Sequence, residues 1–234
     1  MPKEPAIEPD APVSWREQAV ARSLDSARTR AENRVQRFLD AALELMAEGD
    51  GKDFTVQEVV ERSGQSLRSF YQYFGGKHEL LLALFEESVR TTADQLRRKV
   101  GQEDDAGERL HRFVVEYYRL CRPATNGKAA KKTPTTPVII DFAQKLLTGY
   151  PAEAATAFAP LVSLFGEVLD DAATAGAVRP DLRKGPITGI VLEAIMFNAF
   201  SMTISGSVAD GDRGDPAEEL WQLILHGIGT DGSR

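Results

Sequence analysis

Apolar residues recur along the chain at the spacing of helices. Val35, Phe38, Leu39, Ala42, Leu43 and Met46 fall at i, i+3, i+4, i+7, i+8 and i+11, and Gly49 closes that helix. Thr55 is placed to cap a short helix whose apolar face is Val56, Val59 and Val60. Gly64 then stands where a helix end needs a residue that tolerates positive φ. Ser66 caps the next helix, in which Leu67, Phe70, Tyr71 and Phe74 form one face and Arg68, Ser69 and Gln72 the other. Two short amphipathic helices joined by a three-residue turn containing Gly are the signature of a helix-turn-helix. The Gly75-Gly76 pair ends the second of them. A long helix follows over 80–100, apolar at Leu81, Leu82, Phe85 and Val89 and ending in Arg97, Arg98 and Lys99, cations that complement its dipole.

The run GQEDDAG at 101–107 breaks the chain and opens a second region. Leu110, Phe113, Val114, Tyr117 and Cys121 give one amphipathic helix there. Residues 122–137, with three prolines and Lys128, Lys131 and Lys132, are expected to be a mobile surface loop. Two helices follow, over 138–147 and 158–169, the second ending near Gly176. Residues 187–204 are apolar almost all round, but Glu193 and Asn198 near the centre argue against a membrane span. Such a helix has to be covered by protein, and a second subunit is the natural cover. The last helix, 216–228, carries Leu220, Trp221, Ile224, Leu225 and Ile228 on one face. The expected fold is all-α with about nine helices. Its parts are a flexible basic N-terminal arm (1–32), a helix-turn-helix domain (33–85) and a helical ligand-binding and dimerisation domain (86–234).

Charge sharpens this picture. Acids outnumber bases 35 to 28 over 234 residues, a net charge of −7, so any affinity for nucleic acid must be carried by a local patch. Between residues 62 and 78 stand three cations, Arg62, Arg68 and Lys77, and no acid. Lys77 falls in the first turn of a helix, the wrong end for a cation unless a phosphate also sits there. Tyr71 offers a phenol to the backbone, and Arg68 and Gln72 can reach base edges. From 14 to 37 there are six arginines against three acids, so Arg28 and Arg30 on the arm are candidates for phosphate or minor-groove contact. A solvated leader is the plainer alternative. The single cysteine, Cys121, leaves no internal disulfide and no metal cluster, as suits a reducing cytosol, and is expected to pack beside Tyr117.

The run from Gly64 to Lys77, GQSLRSFYQYFGGK, followed by Glu79-Leu80-Leu81, resembles the tetracycline-repressor (TetR) family of bacterial regulators over roughly residues 33–85. Three positions depart from that pattern: Gln65 where Val is usual, Arg68 where a small residue is common, and Gly75 where Pro is frequent. The resemblance implies a DNA-contacting set of Thr55, Gln57, Ser66, Leu67, Arg68, Ser69, Tyr71, Gln72, Tyr73 and Lys77. It also implies a homodimer built by a four-helix bundle of the last two helices, with Ile187, Ile195, Leu220, Trp221, Ile224 and Ile228 at the interface. Burial within one chain is the plainer alternative for these residues.

Catalysis finds little support. The three histidines, His78, His111 and His226, are scattered, and no nucleophile elbow, paired-Cys motif or dinucleotide loop is present. The reading is a cytoplasmic, non-enzymatic regulator without cofactor, acting on pseudo-palindromic double-stranded operator DNA and released by a small lipophilic ligand. Candidate ligand residues are the surplus apolar side chains Phe113, Tyr117, Phe142, Leu146, Phe158, Phe165, Met196 and Phe200, with Tyr118, Gln144 and Asn198 as polar groups among them. The alternatives are a dimeric DNA-binding protein that senses nothing, and a helical lipid carrier or enzyme.

Overall fold

The computed structural model describes residues 14–48, 53–122, 137–179, 181–204 and 214–228. Among the described residues the chain forms nine helices: α1 Trp15–Glu48, α2 Val56–Ser63, α3 Leu67–Tyr73, α4 Lys77–Val100, α5 Ala106–Cys121, α6 Pro137–Gly149, α7 Pro151–Thr174, α8 Lys184–Ile204 and α9 Pro216–Ile228. The helix end expected at Gly49, the first residues of the arm and, of the loop expected over 122–137, residues 123–136 lie outside them, while Pro137 opens α6.

The arm expected over 1–32 is helical from Trp15 onward, as the exposed first half of α1. The N-terminal prolines stop at Pro12, and residues 15–34 are rich in Ala and Arg, which favour a helix. An exposed Arg28–Glu32 pair at 2.8 Å, one turn apart, adds a little support. The second half of α1 turns Phe38, Ala41, Ala42 and Met46 inward against α2. Phe38 meets Phe70 edge-on at 5.4 Å and Phe74 at 6.2 Å, so one fully buried ring holds the middle of α3 and its C-cap.

Helix α4 joins the two regions. Its start packs near α1, and its length lies against α5, α6 and α7 through Leu84, Phe85, Val89, Leu96 and Val100. Asp105 caps α5 by accepting from the Gly107 and Glu108 N–H groups at 2.8 and 3.0 Å. From there α5 runs through the middle of the second region and touches α4, α7, α8 and α9. Its Phe113 stacks on Phe165 of α7 at 4.9 Å. Burial raises the pKa of the Glu116 carboxyl, but Lys99, Arg119 and Arg112 around it outweigh that and hold it below its ordinary range. By length and composition, α7 is the described helix that meets the test for a membrane crossing, where 187–204 had looked the nearer candidate. Leu161, Leu164, Phe165, Val168 and Leu169 of α7 are buried within this chain.

Candidate functional site

Local hydrogen bonding fixes the helix-turn-helix. Thr55 and Glu58 form a reciprocal capping box: the Glu58 N–H donates to Thr55 Oγ1 at 3.3 Å, and the Thr55 N–H donates to the Glu58 carboxylate at 2.7 Å. Gly64 ends α2 in the left-handed region at φ 65°, where a side chain would be strained. Ser66 caps α3 by accepting from the Ser69 N–H at 3.1 Å. Gln65, one of the departures from the family pattern, donates to the Arg34 carbonyl at 2.8 Å and ties the turn to α1. At the far end, Glu79 accepts the Gly75 N–H at 2.7 Å, a bond that Pro at this position would lack.

These anchors decide what α3 presents. Phe70 and Phe74 are buried, whereas Leu67 is 43% and Tyr71 56% exposed, so the expected four-residue apolar face splits into an inner pair and an outer pair. The outer pair shares its face with exposed Arg68 and Gln72. Arg68 makes no ion pair or hydrogen bond among the described residues. Tyr73 is half-buried, and the Ser69 hydroxyl is buried without a partner, turned away from the surface. Thr55 and Ser66 spend their hydroxyls on capping, and exposed Gln57 bonds to Glu61 at 3.0 Å.

Two cations counted toward the polyanion patch are engaged within the chain. Arg62 pairs with Glu48 at 2.7 Å and Glu44 at 3.3 Å, which staples α2 to α1. Lys77 bonds to the Asp53 carboxylate and the Phe54 carbonyl, with its ammonium 4.4 Å from the Phe54 ring centroid. The conflict between this lysine and the α4 dipole is thus met by an internal carboxylate, which Lys77 holds below its ordinary range by hydrogen bonding. On α1, Arg28 is paired with Glu32, and Arg30 donates to the Ser26 carbonyl at 3.0 Å.

The second region holds a half-open cavity of about 310 Å³ between α5, α6, α7 and α8. Tyr117, Phe158 and Met196 of the expected ligand set line it, together with Leu192 and Glu193. The rest of that set lies elsewhere. Phe113, Tyr118, Phe142, Leu146 and Phe165 fill the core, Gln144 is half-buried, and Asn198 is exposed on another face of α8. Phe200 borders a smaller space of about 40 Å³ next to Cys121. Periodicity cannot tell an inward residue that fills a core from one that borders a void. The missed residues Gly189, Leu192 and Glu193 do share a spacing with the expected Met196, at i, i+3, i+4 and i+7 on α8. Cys121 does pack with Tyr117, and burial pushes its thiol up to about 12.

The apolar residues expected at a subunit interface lie mostly inside this chain. Ile195, Trp221, Ile224 and Ile228 are buried inside this chain, against α5 and its neighbours, and Ile187 and Leu220 are half-buried. The outward faces of α8 and α9 instead present Ile190, 61% exposed, Leu223, 71% exposed, and Phe197. A helix apolar on all sides hides which stripe faces in, and only the packing of α5 decides it.

Residues 38–84 match the family model described as bacterial regulatory proteins, tetR family. The chain is 29% identical over 82 residues to the HTH-type transcriptional regulator BetI of Brucella anthropi, covering 35% of this chain and 42% of that protein. It is 23% identical over 87 residues to the fatty acid metabolism regulator protein of Bacillus subtilis, covering 37% and 45%. The match thus spans less than half the length of either relative. Over longer stretches the fold resembles the fatty acid degradation regulator FadR from Bacillus halodurans, with a TM-score of 0.63, 18% identity, and 83% of this chain and 95% of that one covered. It also resembles the Bacillus subtilis regulator FadR solved with stearoyl-CoA, at a TM-score of 0.63, 15% identity, and 82% and 98% coverage. The helix-turn-helix thus matches the tetR family model, and over most of its length the chain shares the all-α fold of these solved regulators.

Proposed function

We propose that the chain is a homodimeric, sequence-specific repressor of the bacterial cytoplasm, not an enzyme, which leaves its operator when a small lipophilic molecule fills the cavity of the second region. The observation that carries the DNA half is the outer face of α3: unpaired Arg68 beside Gln72 and Tyr71 on a short helix braced from behind by Phe70 and Phe74. A guanidinium and an amide on an exposed helix are the groups that read base edges in a major groove. A helical lipid carrier or enzyme would have no use for that face. A second copy covers Ile190, Phe197 and Leu223, and the two-fold pair of α3 helices sets half-sites about one DNA turn apart, roughly 34 Å.

The ligand half rests on the cavity and on what touches its rim. Pro151 and Ala154 line it from the first turn of α7. Glu153 in that same turn lies 2.7 Å from Nε2 of His78, the second residue of α4, and the His78 ring packs on Tyr150 at 4.6 Å. Any ligand that moves the start of α7 therefore moves the start of α4, next to the reading helix. Release requires the ligand to prefer the conformation that misfits the operator, because tight binding alone shifts nothing.

The test is a shift assay on the intergenic DNA beside the gene, with lipophilic compounds titrated into free and operator-bound protein. A coupling of roughly 1–3 kcal/mol weakens DNA binding about 5- to 150-fold, and linkage requires DNA to weaken ligand binding by the same factor. Equal ligand affinity in both states would leave a DNA-binding protein that senses nothing.

A further inference from the structure

We infer that the cavity between α5, α6, α7 and α8 takes a lipophilic cation, an apolar body carrying a protonated or quaternary amine, with Glu193 as its counter-ion. This rests on the reading of the cavity as a ligand site and adds the charge of the ligand. The lining holds one ionisable group that is free to meet a ligand. Tyr117 is buried and its phenol is engaged with the Cys121 thiol, so it offers a ring face and no free donor. Among the described residues the rest of the lining, apart from Glu193, is apolar side chain and Gly189, with no Lys, Arg or His. A carboxylate or acyl-phosphate headgroup would find no cation on the described walls, and Glu193 would repel it.

Glu193 is also unspent. Several acids of the surrounding helices are engaged inside the chain, Glu116 with Lys99 and Arg119, Asp170 with Lys184, Asp171 with Arg109 and Glu153 with His78, whereas Glu167 of α7, which also shows no partner among the described residues, does not line the cavity. Glu193 has no ion pair and no hydrogen bond among the described residues. Gly189, one turn before it on the same side of α8, has nothing within 4 Å of where a Cβ would stand, so there is room beside the carboxylate. One feature of the walls favours an anion, the positive end of the α7 dipole at Pro151. That end is weak here, because Pro151 has no N–H to give and Glu153 already places a carboxylate in the same turn. The rings of Tyr117 and Phe158 face the same space and supply the surfaces over which a weakly hydrated cation is held. At about 310 Å³ the cavity sits at the small end of ligand sites, roughly 300–1,000 Å³, and suits a compact amphiphile.

The experiment uses the full chain and three probes with one apolar body: phenylbutyl-trimethylammonium, the uncharged isostere with carbon in place of nitrogen, and the phenylbutyl carboxylate. Each is titrated calorimetrically into the parent and into Glu193→Gln, an exposed and conservative change, and then into the operator complex. The cation is expected to bind about tenfold more tightly than its uncharged isostere, or ~1.4 kcal/mol, with the carboxylate weakest. Glu193→Gln should erase the cation's advantage and leave the uncharged probe where it was. A carboxylate bound as tightly as the cation, or an advantage that survives Glu193→Gln, overturns the charge assignment, and release of DNA by the uncharged probe would then leave the regulatory reading standing. Failure of all three to bind overturns both. A cation preference that depends on Glu193 without any change in DNA affinity supports the site and overturns the regulatory reading.

Discussion

The outer face of α3 and the outer faces of α8 and α9 both expose large side chains, yet they are built for different partners. On α3, Leu67 and Tyr71 alternate with Arg68 and Gln72, and among the described residues Arg68 has no acid to answer it. On α8, Ile190, Ala194, Phe197 and Ser201 follow at i, i+4, i+7 and i+11, and no cation lies among them. Exposure alone therefore says little about what covers a surface. The polar groups between the apolar ones say more: a lone guanidinium suits phosphates and bases, whereas a largely apolar stripe without charge suits another such stripe. The supports differ as well. Helix α3 has seven residues and hangs on two buried rings, while α8 and α9 are anchored by a row of buried side chains each.

That asymmetry gives the largest expected effect. Phe70→Ala removes the ring that meets Phe38, Tyr71 and Phe74, and should cost ~3–5 kcal/mol, most of it felt by the helix-turn-helix. DNA binding should vanish while sedimentation still reports the parent's assembly state. A variant that keeps full operator affinity would mean that α3 does not depend on this packing.

The apolar stripe is tested next. Ile190→Glu with Leu223→Glu should yield monomers that keep their helix content, since each large apolar side chain withdrawn from an interface forfeits ~1.5–3 kcal/mol. Ile195→Glu is the control: at 0% exposed it sits in the core, so a charge there should unfold the second region instead of splitting a dimer. Sedimentation equilibrium with circular dichroism separates the two results, and an intact dimer of the double variant would remove this face from the interface.

Arg68→Ala comes third, at roughly 1–3 kcal/mol. Because base-edge contacts carry sequence information, the loss should be greater on the true site than on scrambled DNA, as competitive shift assays would measure. A uniform loss on every sequence would make Arg68 a phosphate contact.

How much of the fold and the site is legible in the sequence divides along the same line. The helix-turn-helix is readable to the residue because its determinants are local: Thr55, Gly64 and Ser66 each act within four residues of themselves. Tertiary choices are less visible even there. Nothing in the local pattern tells that Leu67 and Tyr71 face out while Phe70 and Phe74 face in, or that Arg62 and Lys77 find acids on α1 and in the preceding loop. In the second region the helices can be placed but their faces cannot. Helix α8 is apolar on nearly every side, so Ile195 and Ile190 look alike in sequence, and only contact with α5 and α7 separates core from surface. Glu193 is visible as a charge in an apolar helix, but its place on a cavity wall depends on Tyr117 and Phe158, far away in the chain.

The smallest effect concerns Lys77, which either holds the fold or touches DNA. Its bond to Asp53 keeps that carboxyl below its ordinary range. A carboxyl depressed in the folded state contributes stability that is complete above its unfolded value and is lost as pH falls through the folded one. The pair should therefore matter at neutral pH and fade only in acid, by on the order of a few tenths of a kcal/mol because Asp53 is mostly exposed. Asp53→Asn abolishes that acid dependence and frees the ammonium at the start of α4. If the lysine's place is structural, Asp53→Asn and Lys77→Ala both lower the melting temperature slightly and leave DNA affinity unchanged. If DNA competes with Asp53 for Lys77, Asp53→Asn binds all sequences more tightly and steepens the fall of log K with log salt by about 0.9, one added phosphate contact. Salt titrations of the parent and both variants decide between the two, and a specificity change in either variant would contradict both roles, since neither a phosphate nor Asp53 carries base sequence.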